Sequence, residues 1–180
     1  MTKYIALLRG INVGGKRKIL MADLKELFKN MGYSDISTYI QSGNVVFSST
    51  KKESNVNLAD KIEKAILKKF GFEVPVMVRT AQEFKSLLES NPYYKNASSD
   101  VDRLHLTLLK EEPALEAINK LKQVDVGDDE FEIVGSSVFL YSTKQYRDTK
   151  LGNNFFEKKL KVGATTRNWK TILKLVELSS

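Results

Sequence analysis

Apolar and polar positions alternate along the first eighty residues with two distinct periods, and the changes of period mark off successive elements. Tyr4 to Leu8 is an apolar run of strand length, after which Leu24, Leu27, Phe28 and Met31 recur at helical spacing. Gly32 follows the last of these and closes the predicted helix as its C′ residue. Ile36 to Ile40 and Asn44 to Phe47 read as two strands of a hairpin, because Gln41-Ser42-Gly43 lies between β-branched flanks and glycine supplies a positive φ. A second helix follows, capped by Asn57, carrying Leu58, Ile62, Ala65, Ile66 and Phe70 and closed by Gly71. Val74 to Val78 completes the order strand, helix, strand, strand, helix, strand, which is a ferredoxin-like unit.

Thr80 and Glu83 have the spacing of a capping box for a helix with Phe84, Leu87 and Leu88, which stops before Pro92. The polar run from Asn91 to Ser99 is the expected linker, dividing the chain into domains 1–90 and 91–180. Beyond it the order begins again: strand Arg103 to Leu109, helix Pro113 to Lys122, strand Phe131 to Val134, turn Gly135-Ser136 and strand Val138 to Tyr141. A helix with Phe155, Phe156 and Leu160 comes next, then a last helix with Trp169, Ile172, Leu173 and Val176 at i, i+3, i+4 and i+7. The expected fold is α+β: two ferredoxin-like βαββαβ units in tandem with antiparallel sheets. The second unit is diverged, and the C-terminal helix stands in place of its last strand.

A chain of 180 residues, 42% hydrophobic and 28% charged, can bury one sizeable core or two small ones. It has no cysteine, which excludes disulfides, thiolate zinc sites and cysteine catalysis, and its single histidine, His105, excludes the usual multi-histidine metal sites. No cofactor or metal is expected. No apolar run approaches the roughly 18 residues needed to span a bilayer, so a cytoplasmic protein without a membrane partner is the expectation. The net charge of +7 is unevenly placed, since Thr143 to Lys174 is strongly basic. Such a region can steer polyanions, although solubility alone accounts for many surface lysines.

The most chemically suggestive segment joins the first strand to the first helix: Arg9-Gly10-Ile11-Asn12-Val13-Gly14-Gly15-Lys16-Arg17-Lys18. Glycines Gly10, Gly14 and Gly15 permit tight turning and exposed N–H groups, and four cations surround them, which is the chemistry of an anion site. Gly10 to Lys16 also has the G-x-x-x-x-G-K spacing of a phosphate-binding loop. Arg17 stands where that motif needs Ser or Thr, no Walker-B Asp follows, the next strands form a hairpin, and the helix starts near Met21, too late to cradle phosphates. A nucleoside triphosphatase is therefore not expected. The plainer alternative is a glycine turn with solvated lysines.

Two further polar blocks invite the same question. Ala164-Thr165-Thr166-Arg167-Asn168-Trp169 reads as the start of the last helix, with Thr165 or Thr166 as cap and Arg167 beside the free N–H groups. It is either a second anion-binding element or an N-cap with a structural arginine pair. In the hairpin Tyr39-Ile40-Gln41-Ser42-Gly43-Asn44, turn chemistry accounts for Ser42, Gly43 and Asn44, whereas Gln41 has no turn role. Gly43 to Phe47 superficially matches an RNA-recognition strand, but Asn44 and Val46 occupy the positions that need stacking rings. His105 shares a strand face with Arg103 and Thr107, opposite Leu104, Leu106 and Leu108, and is expected to be structural.

Leu8 to Lys16, Tyr39 to Phe47 and Ala164 to Trp169 together closely resemble the domain-of-unknown-function 1697 family of uncharacterised bacterial proteins, over nearly the whole chain. The resemblance implies a two-lobed α+β fold of ferredoxin-like units with these three blocks as its hallmark. It implies no reaction, ligand or catalytic residue. The residues themselves suggest a small phosphate-bearing or otherwise anionic ligand held by Arg9, Gly10, Asn12, Gly14, Gly15, Lys16, Gln41, Ser42, Asn44, Thr165, Thr166 and Arg167, whether or not catalysis follows. Alternatives are a nucleic-acid-binding module using the basic C-terminal region, and a structural or protein-interaction domain.

Overall fold

The protein is described here by a computed structural model covering residues 1–95 and 100–180. Its contacts divide the chain into two units, one comprising residues 1–85 with 174–180 and the other residues 86–173.

In the first unit the elements are β1 (Thr2–Leu8), α1 (Met21–Asn30), β2 (Ser34–Tyr39), β3 (Asn44–Ser49), α2 (Asn55–Phe70) and β4 (Val76–Thr80). They form a four-stranded sheet of order β2-β3-β1-β4 in which every pairing is antiparallel. Period-two alternation places Tyr4, Ala6 and Leu8 on the same face as Val45, Phe47, Val76 and Val78. Leu24 and Phe28 of α1 and Leu58, Ile62 and Ile66 of α2 close over that face as one buried cluster. Phe47 anchors it, with ring centroids 4.7 Å from Tyr33, 5.2 Å from Phe28 and 5.5 Å from Tyr4.

Local chemistry fixes the helix ends. Gly71 ends α2 at φ 81°, and Gly32 follows the end of α1 at φ 86°, as glycine allows. The N-cap of α2 is Ser54 rather than Asn57: the Ser54 hydroxyl accepts the Asn57 N–H at 3.2 Å, so the helix begins earlier and Asn57 lies in its first turn. The capping box forms as expected at α3 (Ala81–Ser90), where the Thr80 hydroxyl accepts the Glu83 N–H at 3.1 Å and the Glu83 carboxylate accepts the Thr80 N–H at 2.6 Å.

The second unit contains β5 (Leu104–Leu109), α4 (Leu115–Lys122), β6 (Glu130–Val134), β7 (Ser137–Tyr141), α5 (Asn153–Leu160) and β8 (Ala164–Asn168); α6 (Trp169–Ser179) follows in the chain, its residues from 174 onward counting with the first unit. Its sheet, β6-β7-β5-β8, repeats the order of the first and is likewise antiparallel throughout. This corrects the expected ending. Residues 164–168 are not a helix start: they pair with β5 from Leu109↔Ala164 to His105↔Asn168 and complete the βαββαβ repeat, and α6 is an addition beyond it. Asn168 caps α6, its Oδ1 accepting the Thr171 N–H at 2.8 Å, in place of the expected cap Thr165 or Thr166.

Of the expected linker, the first part is an ordered turn. Asn91 is buried, and its Oδ1 and carbonyl accept the N–H groups of Tyr93 and Tyr94. Residues 96–99 lie outside the described residues.

Candidate functional site

The chain leaves β1 at Leu8 and must reach α1 at Met21. The Arg9 N–H donates to the Pro75 carbonyl at 2.9 Å, so the loop starts anchored beside β4. Gly14 and Gly15, at φ 57° and 72°, form the two-residue tip of a miniature hairpin, closed by the Lys16 N–H to the Val13 carbonyl at 3.1 Å. Two consecutive positive φ angles are the pattern of a type I′ turn, which is why glycines stand there. The base is closed by the Asn12 N–H to the Arg17 carbonyl at 3.2 Å.

Asn12 ties this hairpin to its surroundings. Its Oδ1 accepts the Ile19 N–H at 2.9 Å, and its Nδ2 donates to the carbonyls of Ile19 at 2.9 Å and Gln41 at 2.8 Å. Asn12 itself holds φ 55°, a conformation that asparagine tolerates better than most residues. The second polar block is thus brought against the first. Gly43 strengthens the junction: its carbonyl accepts the Leu8 N–H at 2.8 Å, and at φ 83° it leaves no room for a side chain, since a Cβ there would stand 2.7 Å from Leu8 Cβ.

Within that second block, Asn44 is wholly buried and donates to the Tyr39 carbonyl at 2.8 Å and to the Ser42 hydroxyl at 2.9 Å, so its amide shapes the turn. The Gln41 side chain is exposed. Exposed too are Gly10, Gly14, Gly15, Lys16, Arg17 and Lys18, while Arg9 is half-buried. The Arg17 guanidinium lies against Gly10, where an added Cβ would meet its Nη1 at 3.3 Å. Among the described residues no carboxylate pairs with Lys16, Arg17 or Lys18. The amides of Arg9, Asn12, Lys16 and Ile19 are already committed to acceptors.

The third block belongs to the second unit and is differently employed. Thr165 is fully buried in β8, and the Arg167 guanidinium donates at 3.0 Å to both the Thr165 hydroxyl and the Thr166 carbonyl. Desolvation pushes the Arg167 pKa down to about 10. Thr166 lies on the other face. Its hydroxyl donates to Asn153 Oδ1 at 2.6 Å, and because a hydroxyl has one proton, the Thr107 hydroxyl at 2.6 Å must donate to it. Beside this chain His105 is buried and stacks on Tyr146, ring centroids 4.3 Å apart. Burial holds the His105 pKa below its ordinary value, against an opposing backbone hydrogen bond at Arg103. The sequence shows His105 and Thr107 alternating on one face of β5 but not the Thr166 hydroxyl beside Thr107, because the residues of β8 suit a helix start equally well.

A feature without a sequence signal is a groove of about 540 Å³ in the first unit, lined by Tyr33, Lys51, Glu53, Lys61 and Lys64, at the end of the sheet away from the loop. Glu53 pairs with Lys61 there.

The family model described as a protein of unknown function, DUF1697, matches residues 1–139. The chain belongs to the DUF1697 family. Among solved structures, that of a conserved bacterial protein from Streptococcus pneumoniae is similar to it at 26% sequence identity and a TM-score of 0.80, over 99% of each chain. No curated protein matches. The duplicated ferredoxin-like architecture of this DUF1697 chain thus recurs end to end in the pneumococcal protein. Among the described residues no group of His, Asp and Glu is placed to hold a metal ion, and no helix is long and apolar enough to cross a membrane.

Proposed function

We propose that this DUF1697 protein binds a phosphate-bearing or other small anionic ligand at the loop of residues 9–18, with Gln41 and Ser42 at the rim. One observation carries the reading: Lys16, Arg17 and Lys18 are exposed without a paired carboxylate on a loop whose backbone is fixed by the Asn12 brace. Clustered cations on a flexible loop repel one another and disperse; held together, they pay that repulsion in advance and return it when an anion arrives. The reading leaves out Thr165, Thr166 and Arg167, which make side-chain hydrogen bonds within the second unit.

The test is a thermal-shift screen of inorganic pyrophosphate, nucleotides, sugar phosphates and oligonucleotides against wild type and Lys16→Ala, Arg17→Ala and Lys18→Ala. The reading requires a ligand that stabilises wild type and loses its effect in the loop variants. Salt-sensitive oligonucleotide binding that is lost on Lys158→Ala and Lys159→Ala instead would move the function to the basic C-terminal region.

A further inference from the structure

Large aliphatic side chains stand exposed at the same loop. Val13 is 67% exposed, Leu20 62% and Ile40 49%; the other exposed large aliphatic residues, Val56 and Leu67 on α2, Leu115 on α4 and Val134 on β6, stand on other elements. Val13 and Leu20 belong to the loop between β1 and α1 and Ile40 to the β2–β3 turn, and Asn12 ties these two stretches of backbone together. Asn12 precedes Val13, and its side-chain amide holds the carbonyls of Ile19 and Gln41, the direct neighbours of Leu20 and Ile40. Ile40 is moreover a β-branched residue at φ 51°, a conformation that costs free energy and is rare for its type. Folding gains little from an exposed isoleucine held this way.

Lys16, Arg17 and Lys18 stand exposed on the same loop as Val13 and Leu20. A small soluble anion would answer these cations but would leave Val13, Leu20 and Ile40 in water. A nucleic acid would likewise meet the cations with its phosphates and leave the aliphatic side chains without an apolar partner, since they offer no rings for bases to stack on. An anionic lipid surface answers both sets at once, with phosphates against the cations and aliphatic side chains at the boundary between headgroups and acyl chains. We infer that the tip formed by Val13, Leu20 and Ile40 with Lys16, Arg17 and Lys18 docks on an anionic phospholipid surface. No spanning helix is needed for such docking. The inference rests on the loop being an anion site, and names the anion as a lipid headgroup displayed on a bilayer.

The experiment is vesicle co-sedimentation of the full chain, using phosphatidylglycerol mixed with phosphatidylcholine and phosphatidylcholine alone. In parallel, NMR titrations with inorganic pyrophosphate are read at the loop amides. The expected result is binding to the anionic vesicles only, weakened about five-fold by each of Lys16→Ala and Lys18→Ala. The triple variant Val13→Ser, Leu20→Ser, Ile40→Ser, with an unchanged melting temperature, should lose vesicle binding while keeping its response to pyrophosphate. Vesicle binding undiminished in the triple variant overturns the inference. A pyrophosphate response at the loop without any vesicle binding overturns it too, but leaves the anion-site reading standing; silence in both experiments overturns both.

Discussion

Replacing Gly43 by alanine should be among the most damaging single-methyl changes in the first unit. The new Cβ would stand 2.7 Å from Leu8 Cβ and 2.8 Å from Ile11 Cδ1, and both of these residues are buried. Neither is the free end of an exposed chain, so the strain cannot be relieved at the surface; forced overpacking of this kind costs about 1–3 kcal/mol. Holding alanine at φ 83° adds about 1–2 kcal/mol. Gly71→Ala is the control, since it shares the backbone term at φ 81° and has nothing within 4 Å of the new Cβ. At about 2–4 °C per kcal/mol for a chain of this size, Gly43→Ala should melt about 2–12 °C below Gly71→Ala in circular dichroism. Equal losses in the two variants would refute the claim that Gly43 is the seat on which the Gln41–Asn44 turn meets the loop.

Asn12→Gly tolerates the positive φ while deleting three side-chain hydrogen bonds, so it should lower stability by about 1–4 kcal/mol in urea unfolding and broaden the loop amide resonances. His105 is the sole histidine, and its imidazole proton signals should titrate below the usual 6.5, because burial disfavours the charged ring. Since the unfolded chain then takes up the proton first, stability should fall as pH drops through about 6.5, and His105→Phe should flatten that slope. The Tyr93 phenol is pushed up to about 12 by burial and by Glu130 and Glu132, and burial raises Tyr33 and Tyr146 as well, so an ultraviolet titration should show a late-ionising phase that loses one tyrosine in Tyr93→Phe. Its contribution runs the opposite way along the pH scale: stability should decline between about pH 10 and 12, where the unfolded phenol ionises first. Asn168→Ala removes the cap of α6 and should cost about 1 kcal/mol in thermal unfolding.

Most of the fold was legible because its signals are local. The stripe Leu24, Leu27, Phe28 separates cleanly from the alternation in β5, the Thr80–Glu83 box is a contiguous motif, and glycines sit where helices end. The failure at β8 has a physical reason. Ala164 to Asn168 is a five-residue strand that runs into the amphipathic α6 without an intervening turn, and its threonines suit a strand as well as a helix cap. Its identity is decided by pairing with β5, sixty residues earlier, which no local window contains. The candidate site was half legible for the same reason. Glycines and cations mark the loop in the sequence, and Gln41 stands out there as having no turn role. What could not be read was that Asn12 is the brace, that Gln41 contributes its backbone carbonyl to it, and that Val13, Leu20 and Ile40 would be left exposed beside Lys16, Arg17 and Lys18.

The central claim is that the loop of residues 9–18 is an anion site. It is tested most directly by titrating inorganic pyrophosphate into isotope-labelled protein and following backbone amide shifts. The account predicts saturable shifts confined to Gly10 to Lys18 and the adjoining turn of Ile40 to Gly43, abolished in Lys16→Ala and Arg17→Ala with the rest of the spectrum unchanged. Shifts that map elsewhere, or that persist undiminished in those variants, would contradict it.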